Sequence, residues 1–138
     1  LPDVRPVYQE VARVLKQNGL YISQHKQPAS LQSPSEASQG KYSIQHPYYR
    51  TSPLPPETAK NLVREMDTVE YLHRWEQLLG EMCRAGFWIE DLLEPLHADF
   101  NAAHKSFEHR SIFLPPYVRV KARRREKLKV PANKFWIP

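Results

Sequence analysis

The stretch Arg13 to Ser23, R-V-L-K-Q-N-G-L-Y-I-S, constrains the fold more than any other part of the 138-residue chain. Ahead of its turn, Val4, Val7, Tyr8, Val11, Val14 and Leu15 recur at the i, i+3, i+4, i+7 spacing of an amphipathic helix. Asp3 is placed to cap the amino end, and Pro6 falls in the first turn, where a missing N–H costs little. Asn18 and Gly19 tolerate positive φ, so the helix can close on a left-handed turn. Leu20 and Ile22 then alternate with Tyr21 and Ser23 as in a strand. Helix, tight turn and strand in this order belong to α/β folds. The chain opens inside such a unit, with neither a methionine nor a strand ahead of the helix.

The same alternation of signals continues downstream. Between Lys26 and Pro56, Pro28, Pro34, Pro47, Pro53, Pro55 and Pro56 break any long helix, and serines accompany them. The first half of this stretch reads as a mobile loop. Its second half, Y-S-I-Q-H-P-Y-Y-R, is too aromatic for a plain linker and reads as a lid. A short helix is expected from Pro56 to Met66, and a second from Asp67 or Thr68, with D-T-V-E as a loose capping box. The second helix would bury Val69, Leu72, Trp75, Leu79, Met82 and Cys83, then end at the A-G-F turn of Ala85 to Phe87. A strand from Phe87 to Leu93, an irregular segment to Ile112 and a strand from Tyr117 to Ala122 complete the pattern. Trp75 and Trp88 are expected in the core.

Composition narrows the classes. No apolar run approaches the roughly 20 residues that span a bilayer, and no signal peptide is visible, so a cytoplasmic, reducing location is expected. Cys83 is the only cysteine, which excludes an intrachain disulfide. The formal net charge of +5 is concentrated in one segment, where Arg119, Lys121, Arg123, Arg124, Arg125, Lys127 and Lys129 stand against Glu126. Such a run can bind phosphate backbones, but basic residues alternating along a strand also solvate it and discourage edge pairing, and the second reading is preferred. His97, His104 and His109 share a segment with Asp99 and Glu108 but lack H-x-x-x-H or H-E-x-x-H spacing, so no metal is expected.

Three segments carry a resemblance to a family. R-V-L-K-Q-N-G-L-Y-I-S resembles the lead-in to the fifth strand of class I S-adenosylmethionine-dependent methyltransferases, usually L-K-P-G-G before an apolar strand; Gln17 and Asn18 replace the Pro and first Gly. Glu70 to Pro95, with A-G-F inside it, resembles the helix and sixth strand of small-molecule methyltransferases. F-L-P-P-Y-V-R-V-K-A-R-R, Phe113 to Arg124, resembles their closing antiparallel strand. The resemblance implies an α/β, Rossmann-like methyltransferase sheet of which this chain holds a truncated C-terminal part. It would have about three strands with flanking helices, ordered five, closing, six. Residues 1–125 would form the partial domain, 26–56 its loop or lid, and 126–138 a basic-aromatic tail.

The resemblance also implies what is missing. The family's Gly-rich cofactor loop would lie upstream of Leu1, and no two of Gly19, Gly40, Gly80 and Gly86 are close enough to form G-x-G. S-adenosylmethionine is thus the cofactor of the complete enzyme, and this chain alone is expected to hold no cofactor-binding residues. Ligands of open α/β sheets bind beyond the carboxyl ends of the parallel strands. Gln24, His25, Tyr48, Tyr49 and Arg50 are therefore the substrate-binding candidates, with His25 the candidate base for a small-molecule acceptor. Expected partners are a missing N-terminal half or a second copy, docked on the open edge of Leu20 to Lys26, with poor stability of the isolated chain. Two alternatives belong to other classes: a non-catalytic interaction module pairing through that edge, and a nucleic-acid binder using the basic tail.

Overall fold

The computed structural model describes residues 1–34, 41–56 and 68–125. In chain order they form α1 (Arg5–Val14), β1 (Leu20–Lys26), α2 (Pro28–Gln32), a π-helical segment (Glu76–Gly80) running into α3 (Glu81–Arg84), β2 (Phe87–Leu93), α4 (Phe107–Phe113) and β3 (Tyr117–Arg124). The three strands make one sheet in the order β1-β3-β2. β3 is antiparallel to both neighbours, pairing Ile22 with Lys121 on one side and Leu92 with Val120 on the other. The two outer strands are therefore parallel to each other, as the resemblance implied. The short helix expected from Pro56 to Met66 and the 126–138 tail lie outside the described residues.

The opening junction forms by a different geometry from the one its residues imply. The amino end of α1 is organised by Asp3, whose carboxylate accepts the Arg5 backbone N–H at 2.9 Å, although the cap position itself is Val4. The helix stops at Val14, and Leu15 is already extended. Asn18 takes the positive φ, at 62°. Gly19 is needed for space instead: a Cβ there would stand 2.8 Å from the Lys16 carbonyl oxygen. At the A-G-F turn the glycine does supply the left-handed backbone, with Gly86 at φ 96°.

One face of the sheet is covered and holds the core. Tyr8 and Ala12 of α1, Met82 of α3, Ala85, Phe87, and Val118, Val120 and Ala122 of β3 pack together there. Period-two alternation puts all three β3 apolar residues on that face, each 0% exposed. Arg119, Lys121 and Arg123 point the other way. A register shift between Ile89 and Asp91 leaves Glu90 as an extra residue. Glu90 meets Arg123 at 2.5 Å and Lys121 at 3.5 Å.

The helix before β2 corrects the sequence pattern. Residues 68–74 are not helical, and helix begins only at Trp75. Leu54 N–H donates to the Glu70 carbonyl at 2.8 Å, drawing this segment against the loop instead. Leu72 consequently packs with Leu31, Leu54 and Tyr48 in a second cluster, while Val69 is exposed. The π-helical segment then shifts the helical phase, burying Leu78 and Met82 and leaving Cys83 at the surface, not in the core. Trp75 is half-buried against the core as expected. Trp88 is not in the core: it lies on the bare face under the Arg125 guanidinium, 5.1 Å from the ring centroid.

Two loops carry more structure than their sequences show. Pro28 starts α2 instead of breaking it, because proline suits a first helical turn. The segment before β3 contains α4, whose amino end is capped by Ser106 accepting the His109 N–H at 3.1 Å. Arg110 is 2% exposed and joins the two helices, donating to Ser30 Oγ at 2.8 Å, the Ser30 carbonyl at 2.7 Å and the Ser33 carbonyl at 3.2 Å. Among the described residues no helix is long and apolar enough to cross a membrane.

Candidate functional site

β1 ends in Gln24, His25 and Lys26, and the non-helical segment 68–74 crosses beside it. Together they form a recess of about 290 Å³ lined by Gln24, His25, Lys26, Glu70, Tyr71 and His73, with Leu31 and Leu78 among its apolar walls. Lys26 and Glu70 form an ion pair across the recess, with both side chains largely shielded. This pair ties the strand end to the crossing segment, so the wall depends on residues 44 positions apart.

His25 is half-buried on the covered side of the sheet. Its Nε2 lies 2.8 Å from Ser23 Oγ, and its ring stands edge-on to Tyr8 at 6.3 Å. Burial holds the imidazole below the usual histidine range, and the neighbouring His73 adds to the effect. His73 is lowered chiefly by burial as well, against the opposing effect of its Nε2–H donated to the Leu1 carbonyl at 3.0 Å. Both rings are therefore neutral near pH 7. Tyr8, 1% exposed, has no hydrogen-bond partner for its hydroxyl among the described residues, and burial raises its pKa.

The sequence candidates separate in space. Gln24 and His25 share the recess, although the Gln24 amide oxygen accepts Arg119 Nε–H at 2.8 Å on the bare side. Tyr48, Tyr49 and Arg50 do not line it. The Tyr48 hydroxyl accepts the Trp75 backbone N–H at 3.1 Å, fastening the loop to the helix start. Tyr49 is exposed and sits under the Arg74 guanidinium at 4.8 Å. Arg50 turns back on its own loop, donating to the Ser52 and Pro53 carbonyls. Lys26, Glu70, Tyr71 and His73 complete the recess. The helical reading of 68–74 hid the last three, and no local signal marks them because the strand they face is distant in sequence.

The other histidines fall into two aromatic groups. His97 packs edge-on between Phe107 and Tyr117. His104 lies 4.6 Å from His109, whose Nδ1 is 3.0 Å from the Tyr42 hydroxyl. Among the described residues no group of three or more His, Cys, Asp or Glu could hold a metal ion. The described glycines do not form a nucleotide cradle: Gly19 and Gly86 precede strands and Gly80 is helical against the Arg84 guanidinium. These residues do not fit S-adenosylmethionine.

Comparison with known proteins gives the fold its context. The chain is similar in structure to an S-adenosylmethionine dependent methyltransferase from Mesorhizobium loti, with a TM-score of 0.58 and 20% identity over 88% of this chain and 56% of that one. A Listeria monocytogenes structure of the same assignment matches with a TM-score of 0.55 and 15% identity, covering 91% of this chain and 57% of its own. In sequence the chain is 32% identical over 95 residues to the uncharacterized methyltransferase YbaJ of Bacillus subtilis, covering 67% of this chain and 37% of that protein. No family model matches. The described residues carry part of the fold of S-adenosylmethionine-dependent methyltransferases, and over the matched stretch the sequence is similar to a methyltransferase. That stretch is just over half the length of the solved relatives and just over a third of the curated one.

Proposed function

We propose that this chain supplies the acceptor side of an S-adenosylmethionine-dependent methyl transfer to a small molecule, and that it is inactive by itself. The observation carrying this reading is His25: a base kept neutral by burial, at the carboxyl end of a parallel strand, opening into a small recess. S-adenosylmethionine, when bound by a complete enzyme, supplies an electrophilic methyl group. Since the described residues do not cradle it, no step through it is assigned to them. Their part is to hold the acceptor beside His25, keep water out, and take the proton that an acceptor hydroxyl or amine loses as it attacks. The Lys26–Glu70 pair holds the wall in place and presents charge to a polar acceptor.

Calorimetry with S-adenosylmethionine tests the division of labour, on the chain alone and together with the product of any reading frame immediately upstream. Binding is expected only in the second case, and tight binding by the chain alone overturns the proposal. In whichever preparation transfers a labelled methyl group, His25→Gln is expected to lower kcat by roughly 10²–10⁴-fold, the usual contribution of a positioned base.

A second reading has its own observation. β1 and β2 each pair on one side only within the described sheet. The free edge of Leu20–Lys26 suits pairing with a second copy or a separate strand, giving a non-catalytic interaction module. Sedimentation separates the two: this reading requires concentration-dependent association, abolished by proline at an edge position such as Ile22.

A further inference from the structure

A second concavity lies at the opposite end of the sheet from His25. It is a groove of about 490 Å³ lined by Gln9, Ala12, Arg13, Gln17, Ala85, Arg124 and Arg125. Ala12 and Ala85 form its floor, both buried. Arg124 pairs in register with Phe87, the first residue of β2, and exchanges backbone hydrogen bonds with the turn before β1. The groove therefore sits at the amino ends of the two parallel strands, about 20 Å from the His25 recess at 3.3 Å per strand residue.

Its chemistry is one-sided. Arg13, Arg124 and Arg125 border it with the amide-bearing Gln9 and Gln17, and among the described residues no Asp or Glu does. Arg13 is shared with Glu10, which accepts its Nε–H at 2.7 Å in an exposed, easily exchanged pair. Arg125 donates to Asn18 Oδ1 at 2.6 Å and its guanidinium lies over the Trp88 ring on the bare face, so it borders the groove at one end without turning into it. The half-buried Arg124 guanidinium has no side-chain hydrogen bond or ion pair among the described residues. β3 alternation aims Arg124 to the same side as Ala122, towards the helices and away from the Glu90 that neutralises Arg123 and Lys121 on the other face. A half-buried arginine without a counter-ion among the described residues, across from an Arg13 whose exposed ion pair exchanges easily, is set up to receive an anion.

We infer that this groove binds the phosphate groups of a small polyphosphorylated ligand. Planar guanidinium forks match phosphate oxygens in pairs, and the Gln9 and Gln17 amides can complete the ring of donors. The concave shape and the volume favour a compact di- or triphosphate over an extended strand. The site is separate from the methyl-acceptor recess and does not depend on the methyltransferase reading.

The test is calorimetric titration of the full chain with pyrophosphate and with tripolyphosphate at several salt concentrations. Binding that weakens with salt is expected. Arg124→Gln is expected to lower affinity roughly tenfold or more, the scale of a hydrogen bond to a charged group. Arg13→Gln, at an exposed helix position, should weaken it by less. Arg119→Gln, on the bare face, should leave it unchanged. Equal affinity in wild type and both groove variants, or no binding of either polyphosphate, overturns the inference. So does an RNA oligonucleotide that binds with Arg124 dependence when tripolyphosphate does not, because the groove would then read an extended backbone.

Discussion

Val118, Val120 and Ala122 alternate along one strand with Arg119, Lys121 and Arg123, yet the two sets live in different solvents. The first set is fully buried beneath α1 and α3, where each apolar side chain loses its contact with water. The second set stands on the bare face with Ile22 and Trp88, 63% and 53% exposed, and its charges meet Glu90, Gln24 and water. Cohesion belongs to the covered face, whereas the bare face contributes solubility and register. The same division places His25 on the side where burial can tune a base, and the Gln24 amide on the side where it cannot.

Substitutions on the two faces should therefore differ sharply. Met82 is 0% exposed at the centre of the covered face. Met82→Ala is expected to cost about 2–5 kcal/mol in denaturant unfolding, the usual range for a buried Met truncation. A loss indistinguishable from that of a surface substitution would break the comparison.

A smaller effect should appear as a pH slope. His25 and His73 are held below their ordinary value of 6.5 by burial, so the unfolded chain takes up protons that the folded chain refuses. Their contribution to stability is fully present above about pH 6.5 and is lost as pH falls through the folded pKa values. Thermal melts between pH 7.5 and 5 should show stability declining on acidification. His25→Gln should flatten that decline, and an unchanged slope would mean that the imidazole is not buried.

The smallest effect is expected on the bare face. Arg123 holds the Glu90 carboxyl below its usual range, chiefly by hydrogen bonding, but both groups are solvated. Glu90→Gln should leave the melting temperature nearly unchanged in salt, with a slight loss only at low ionic strength. A large loss would show the bulge at Glu90 to be a structural anchor.

The strands were legible because their signals are local. Leu20–Lys26 and Phe87–Leu93 form where alternation and turn residues place them, and β3 runs only two residues beyond Ala122, to Arg124. His25 was legible as the residue at a strand's carboxyl end. The rest of the recess was not. Val69 and Leu72 share a helical spacing with Trp75 and Leu79, but the Leu54–Glu70 hydrogen bond and the Leu31–Leu54–Leu72 cluster outweigh that local preference. Cys83 and Trp88 were misplaced for related reasons: a π-helical segment rotated one out of the core, and no described helix covers the side of the sheet on which the other stands.

By itself the sequence determined the helix–turn–strand opening, the glycine turn before β2, the apolar stripe of β3 and the resemblance to methyltransferases, all of them properties of short stretches. Tertiary structure alone decided that Glu70 and His73 face His25, that Tyr48 is a fastener and not a recess residue, and that Arg124 converges with Arg13 on one groove. Those arrangements depend on which distant segments meet. A one-dimensional pattern of polar and apolar residues specifies which face is buried, but not which distant segment packs against it.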